Sequence, residues 1–283
     1  MASVSHFMTP EIADAFRHST LSAVELTLAA IEHDDQHDGP SRRLIHELID
    51  EGTMSVASMH LPFGVEWDVS SPDETERQHA IANILGMLAR NLDFGSQYLT
   101  LHGSCEILDV TEHPTRLTQV RKSITDLLPF IQQHGMRLAV EYLPRMCLGN
   151  HEEELLEMVA PFERDYVGIC LDVNHVMGRY AELPRIIESL GERLFTLHLS
   201  DYDGVDEKHW FPGQGIIYWS AVMETLRRSG SELYLFYETK QQLTECDSIF
   251  TLRQVENNIR MLESCCSCAV WHNQTDDNMA TPV

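Results

Sequence analysis

Histidines and carboxylates recur where short apolar runs of this chain end. His60 closes SMH, His102 follows TL before a glycine, Glu141 sits in VEY, Asp172 and His175 in LDVNH, His198 and Asp201 in LHLSD, and Glu238 in LFYET. Imidazole and carboxylate are the side chains that both ligate divalent cations and move protons near neutral pH. A single histidine at a strand end is usually a hydrogen-bonded structural residue. Six runs that end alike point instead to a shared site. His175, three residues beyond Asp172, either reaches substrate or a second ion, or supports Asp172 from behind. After His198 runs SDYDGVDEKHWFPGQGIIYW, a segment dense in acids, aromatics and glycine, which reads as an active-site loop carrying His209 and Trp210. A solvated turn needs its glycines but not a Trp beside a Phe. Trp210, together with Trp67, offers a surface for the C–H face of a polyol, with core packing against the rim as the alternative for either ring.

Residues more than a hundred positions apart meet only if the fold gathers the ends of their strands. Alternation and apolar runs predict strands over Ala2–Phe7, Ala23–Leu28, Met54–His60, Tyr98–Gly103, Arg137–Leu143, Val167–Asp172, Leu194–Ser200 and Leu233–Thr239. Helical spacing predicts helices over Glu11–Arg17, Ser41–Glu51, Pro72–Asp93, Pro114–His134, Glu152–Phe162, Leu183–Leu190, Trp219–Ser229 and Thr244–Glu263. Ser71 is read as a helix cap before Pro72, and Gly135 and Gly230 as helix stops. Eight βα units in succession imply a parallel sheet closed into a single (β/α)8 TIM barrel, an α/β fold whose strand C-termini converge on one mouth.

At 283 residues the chain is close to the usual size of such a barrel, and the barrel is expected over residues 1–264, with 265–283 as a poorly packed tail. Forty-four acidic against 20 basic residues give a formal charge of −24, which disfavours nucleic acid as a partner. An apolar run of membrane-spanning length is absent, so a cytoplasmic protein without a membrane partner is expected. The seven cysteines are expected to be free thiols, the Cys265-Cys266-Ser267-Cys268 cluster included. A homo-oligomer is left open.

The segments MHLPFG, LHGS, LAVEYLPR, CLDVNH, LHLSDYDG and DEKHWFPGQG resemble the sugar phosphate isomerase/epimerase group of the xylose isomerase-like (AP endonuclease 2) TIM-barrel superfamily. The resemblance runs over roughly residues 54 to 239. It implies one divalent cation held by Glu141, Asp172, His198 and Glu238, with Glu141 and Glu238 doubling as acid and base, and His175 at a position that contacts substrate oxygen. That hard ligand set suits Mn²⁺ first, with Mg²⁺, Co²⁺ and Zn²⁺ as alternatives. We expect His60, His102, His175, Asp201, His209 and Trp210 to line the substrate. The expected reaction is isomerisation or epimerisation of a sugar, sugar phosphate or related keto-polyol through a metal-bound enediolate. Gly204 stands six residues beyond His198, where ketose 3-epimerases of the superfamily carry arginine. Two rivals share the barrel. One is a lyase or dehydratase acting on a keto-inositol or 3-keto-glycoside. The other is an endonuclease IV-like trinuclear zinc enzyme, with His60, His102, Glu141, Asp172, His175, His198, Asp206 or Glu207, His209 and Glu238 as ligands; the charge of −24 and the lack of a Lys/Arg cluster argue against it. A barrel used only for binding would leave the clustered ligands without a role.

Overall fold

The computed structural model describes residues 2–4, 8–107, 109–230, 233–239 and 248–265. Eight strands form a closed barrel: β1 Ala2–Val4, β2 Ala23–Thr27, β3 Ser55–His60, β4 Tyr98–Leu101, β5 Arg137–Glu141, β6 Val167–Asp172, β7 Leu194–Leu199 and β8 Tyr234–Tyr237. Each pairs in parallel with the next, and β1 closes the ring on β8 through Ala2 and Tyr237. The expected strand starts hold within a residue; the ends coincide at His60 of β3 and Asp172 of β6, and those of β2, β4, β5, β7 and β8 fall one to two residues earlier. Residues 5–7 of the first expected strand lie outside the described residues.

Side chains alternate between the faces of a strand, and the sequence assigns those faces by polarity. Leu138 and Val140 of β5, Ile169 and Leu171 of β6, and Leu197 and Leu199 of β7 are fully buried in the main apolar core. Burial of each such side chain stabilises the fold by about 1.5–3 kcal/mol. Their neighbours at period two turn into the barrel: Ala139 then Glu141, Cys170 then Asp172, Thr196 then His198, Phe236 then Glu238. Polar chemistry therefore rises along the interior towards the C-terminal end, where the βα loops begin.

The helices are α1 Pro10–Arg17, α2 Leu28–Gln36, α3 Ser41–Asp50, α4 Glu74–Arg90, α5 His113–Gln133, α6 Glu152–Val159, α7 Leu183–Leu190, α8 Trp219–Ser229 and α9 Ser248–Cys265. The helix α2 was not expected. It starts directly at the end of β2, and its segment LAAIEHDDQ buries little beyond Leu28 and Ile31, so no stripe marks it in sequence. The cap of α4 is Asp73, not Ser71: the Asp73 carboxylate accepts from Thr75 N and Glu76 N, while the Ser71 hydroxyl donates to Glu76. Gly230 ends α8 at φ 65°, and Gly135 follows α5 at φ 64°, a conformation that glycine adopts without strain. The expected last helix began at Thr244; 244–247 lie outside the described residues, as do 266–283 of the expected tail. Cys265 closes α9. No helix among the described residues is long and apolar enough to cross a membrane.

Candidate active site

β5, β6, β7 and the end of β8 bring Glu141, Asp172, His198 and Glu238 into one cluster whose ligand-capable atoms all lie within 4.8 Å of one another. His198 Nδ1 is 2.7 Å from Glu238 Oε2 and 3.4 Å from Glu141 Oε1. Asp172 Oδ2, Glu238 Oε2 and both ring nitrogens of His198 are buried and have no hydrogen-bond partner of normal geometry. Buried polar atoms are nearly always paired, so this convergence of unpaired donors and acceptors fits a cation-binding site. Three carboxylate side chains and one imidazole are the hard donor set such an ion takes, so the residues present fit a divalent metal.

Two further groups adjoin it. His60 Nε2 and His102 Nε2 lie 3.2 and 3.0 Å from Glu141 Oε2. The His60 ring is oriented by its Nδ1, which donates to Leu61 O at 2.9 Å. On the other side, Asp172, His175 and His209 form a third group. His175 Nδ1 donates to Tyr142 O at 2.8 Å and His209 Nδ1 to Glu238 O at 3.2 Å, so each ring turns Nε2 inward. His175 Nε2 is 3.5 Å from Asp172 Oδ2 and 3.8 Å from Glu207 Oε2, and His209 Nε2 is 3.9 Å from the same Glu207 oxygen.

Electrostatics follow from this crowding. Burial pushes the Glu141 carboxyl up, but His102 and His198 overcome it and hold it well below the usual carboxylate range. Glu238 is likewise driven up by burial and pulled well below its ordinary value by His198. Both glutamates are therefore ionised at neutral pH. Asp172 is raised to about 6, chiefly by burial. Burial lowers His60, yet contact with Glu141 brings it up to about 9, whereas burial wins at His102 and lowers it.

The expected substrate-lining residues divide. His60, His102, His175 and His209 gather at the mouth. Trp210 is 39% exposed on the loop after β7, its backbone bridging Asp201. Asp201 is corrected: it is fully buried, and its carboxylate accepts from Tyr202 N, Gly213 N, Ile217 N and Trp219 Nε1. It pins the loop rather than facing substrate. Gly215 is required there, because a Cβ would fall 2.2 Å from Tyr202 O and 2.3 Å from Asp201 Oδ1. Trp67 packs on the core. Arg145, Arg179 and Lys208, the cations near the mouth, pair with Glu207, with Glu152 and Glu182, and with Asp203 and Asp206 respectively.

Sequence reasoning missed three residues. Asn174, fully buried, accepts from Lys208 N and His209 N and donates to Ser200, holding His209 at its left-handed φ of 48°. Phe63, exposed at the mouth, stacks on His102 with ring centroids 4.3 Å apart. Glu25 lies on β2 beneath His198. An acid amid the apolar pattern of AVELT was the available signal.

Residues 20–265 match the xylose isomerase-like TIM barrel family. The chain belongs to this family. An inosose isomerase of Bacillus subtilis is 25% identical over 197 residues, covering 64% of this chain and 69% of that protein. The chain spans 64% of the length of an uncharacterized protein from Methanocaldococcus jannaschii, at 24% identity. Among solved structures, a D-tagatose 3-epimerase-like protein superposes with TM-score 0.73 at 19% identity, covering 93% of this chain and 99% of that one. The IOLI protein, described with a binding zinc atom, superposes with TM-score 0.70 at 19% identity, covering 93% and 96%.

Proposed function

We propose that this barrel is a divalent-metal-dependent isomerase or epimerase of a sugar or keto-polyol, with Glu141 and Glu238 as its acid/base pair. The observation that carries this reading is the cluster of Glu141, Asp172, His198 and Glu238 at the mouth, the first three buried and Glu238 half-buried, in which Asp172 Oδ2, Glu238 Oε2 and the His198 ring nitrogens are unpaired. Relatives named as inosose isomerase and as a D-tagatose 3-epimerase-like protein support the substrate class, and a zinc-bound neighbour supports the metal. These four residues would hold the ion, which would supply polarisation of a substrate carbonyl and so acidify the neighbouring C–H. One glutamate takes that proton, and the other returns it from the opposite face, giving an epimer; return by the first to the adjacent carbon gives an isomer. His102, beside Glu141, and His175 and His209, fixed through backbone carbonyls, present nitrogens to the substrate's oxygens, while His60, with both ring nitrogens taken by Leu61 O and Glu141, lines the site with its ring and orients that carboxylate. Phe63 and Trp210 offer faces to its C–H surface.

Gly204 bears on the substrate. Its φ is 79°, and a Cβ there would meet the Tyr180 ring at 3.1 Å, so an arginine at this position would need the loop rebuilt. A substrate outside the narrow ketose 3-epimerase class, such as a keto-cyclitol, fits better.

A second reading has its own observation: the groups around Glu141 and Asp172 make three adjoining ligand sets, as a trinuclear phosphodiesterase requires. The pairing of Arg145, Arg179 and Lys208 with acids leaves little to hold phosphates. One experiment separates the readings. Elemental analysis of purified protein should give close to one divalent ion per chain, and incubation with inosose or ketohexoses in deuterated water should give product labelled at the reacting carbon. Three tightly held zinc ions with incision of an abasic duplex would reverse the ranking.

A further inference from the structure

We propose that Glu25 is a positioning residue for the candidate metal site, holding the far nitrogen of His198 so that the near one is presented to the cation. This rests on reading Glu141, Asp172, His198 and Glu238 as a cation site. Val24 and Leu26, on either side of Glu25, are fully buried in the outer core, so the Glu25 side chain points into the barrel. The pairing of β2 with β3 shifts register between Val24 and Glu25, an irregularity that re-aims side chains next to active sites. Glu25 Oε2 accepts from Ser58 Oγ at 2.6 Å and Thr100 Oγ1 at 2.8 Å. Its Oε1 lies 2.9 Å from His198 Nε2, a contact not aligned as a hydrogen bond here, since neither atom has a partner of normal geometry.

His198 thus has acids on both sides of a fully buried ring: Glu25 at Nε2, Glu141 and Glu238 at Nδ1. A neutral imidazole has one N–H to give. Glu25 is buried and already fastened to two hydroxyls, whereas the Glu238 side chain is 35% exposed. Both hydroxyls fall on Oε2, so buried Oε1 has no other donor than His198, and a buried carboxylate oxygen left without one is costly. The N–H therefore belongs on Nε2 towards Glu25, which leaves the Nδ1 lone pair for the ion, as ligand histidines are generally set by a partner on the opposite nitrogen.

The alternative is that Glu25 merely ties β2 to β3 and β4. Glu25→Gln distinguishes them, because glutamine can still accept from Ser58 and Thr100. Metal-free wild type and E25Q are titrated with Mn²⁺, free ion being followed by electron paramagnetic resonance; visible spectra of the Co²⁺ forms and melting of the metal-free proteins are recorded alongside. The expected result is Mn²⁺ binding about 10–100-fold weaker in E25Q, an altered Co²⁺ spectrum, and a metal-free melting temperature close to wild type. Unchanged Mn²⁺ affinity, or a loss confined to metal-free melting, overturns the proposal. If E25Q does not fold, S58A/T100V, which unfastens the carboxylate without removing it, decides: weaker Mn²⁺ binding supports the assignment and wild-type affinity overturns it. Wild type that binds no Mn²⁺ would sink the cation-site reading itself, a different failure.

Discussion

Glu141 and Glu238 differ in what surrounds them, and that difference sets what each substitution should do. Glu141 Oε2 faces His60 and His102 while Oε1 faces His198; Glu238 touches His198 and is more open. Replacing either by Gln keeps the size and removes the basic oxygen. Turnover should fall about 10²–10⁴-fold, with part of the metal retained. In deuterated water, one of the two variants should still wash out substrate hydrogen without forming product if the enzyme is a two-base epimerase. Near-wild-type rates in both variants, with metal bound, would pass the proton-transfer role to His175 or His209. At this scale the sequence was legible where strand and side-chain polarity agreed. His198 and Asp201 both ended one apolar run, but they differ by three residues and so leave the strand on opposite faces, and only His198 reaches the mouth. Glu25 stood out in sequence only as an acid in an apolar run; its role was illegible because its partners Ser58, Thr100 and His198 are distant in sequence and only barrel closure places them against it.

Among the elements, strands were easier to see than the βα loops that finish the site. Apolar runs mark strands directly, whereas α2 offered no stripe and the loop after β7 is ordered by Asp201, whose role depends on backbone N–H groups up to 16 residues away and on the Trp219 indole N–H, 18 residues away. The loop after β6 is held similarly. Arg179 donates to Glu152 at the start of α6 and to the Tyr142 hydroxyl, and Tyr142 O orients His175. Burial raises the Glu152 carboxyl, but Arg179, its own backbone N–H and Arg185 overcome this and hold it at about 2 against an ordinary 4.5. A depressed carboxyl contributes stability that is present above its unfolded value and lost as pH falls through its folded value. Glu152→Gln should therefore destabilise at pH 7 by about 1–3 kcal/mol, and the gap to wild type should close between pH 4.5 and about 2. Urea melts across that range check it; a gap constant with pH would show that charge at Glu152 does not hold these elements together.

The whole molecule carries a charge of −24, and its barrel collects several of those acids, Glu25, Glu141, Asp172, Glu207 and Glu238, around one mouth. The closed eight-strand architecture was readable from the βα alternation, because eight successive βα units imply a parallel sheet covered on both faces and closure is the simplest arrangement of eight such strands. The large exposed apolar side chains of the described residues, among them Phe63, Val65, Val110, Met146, Trp210 and Tyr218, also lie on βα loops, so the acidic centre sits within an apolar rim. Such a centre gathers like charges that folding must hold together, and a divalent cation relieves that repulsion only in the folded state. Ligand binding to the native state alone stabilises by RT ln(1 + [L]/Kd), about 2.7 kcal/mol at a hundred times Kd, which for a chain of this size is a rise of roughly 5 °C or more in melting temperature. Protein stripped with a chelator should melt lower by that amount and regain it on addition of Mn²⁺. The same ionic strength supplied as NaCl should recover only a small part, since bulk salt screens surface charge more than buried charge. Recovery with NaCl equal to that with Mn²⁺ would mean that the acids are relieved by general screening and that the mouth holds no specific ion.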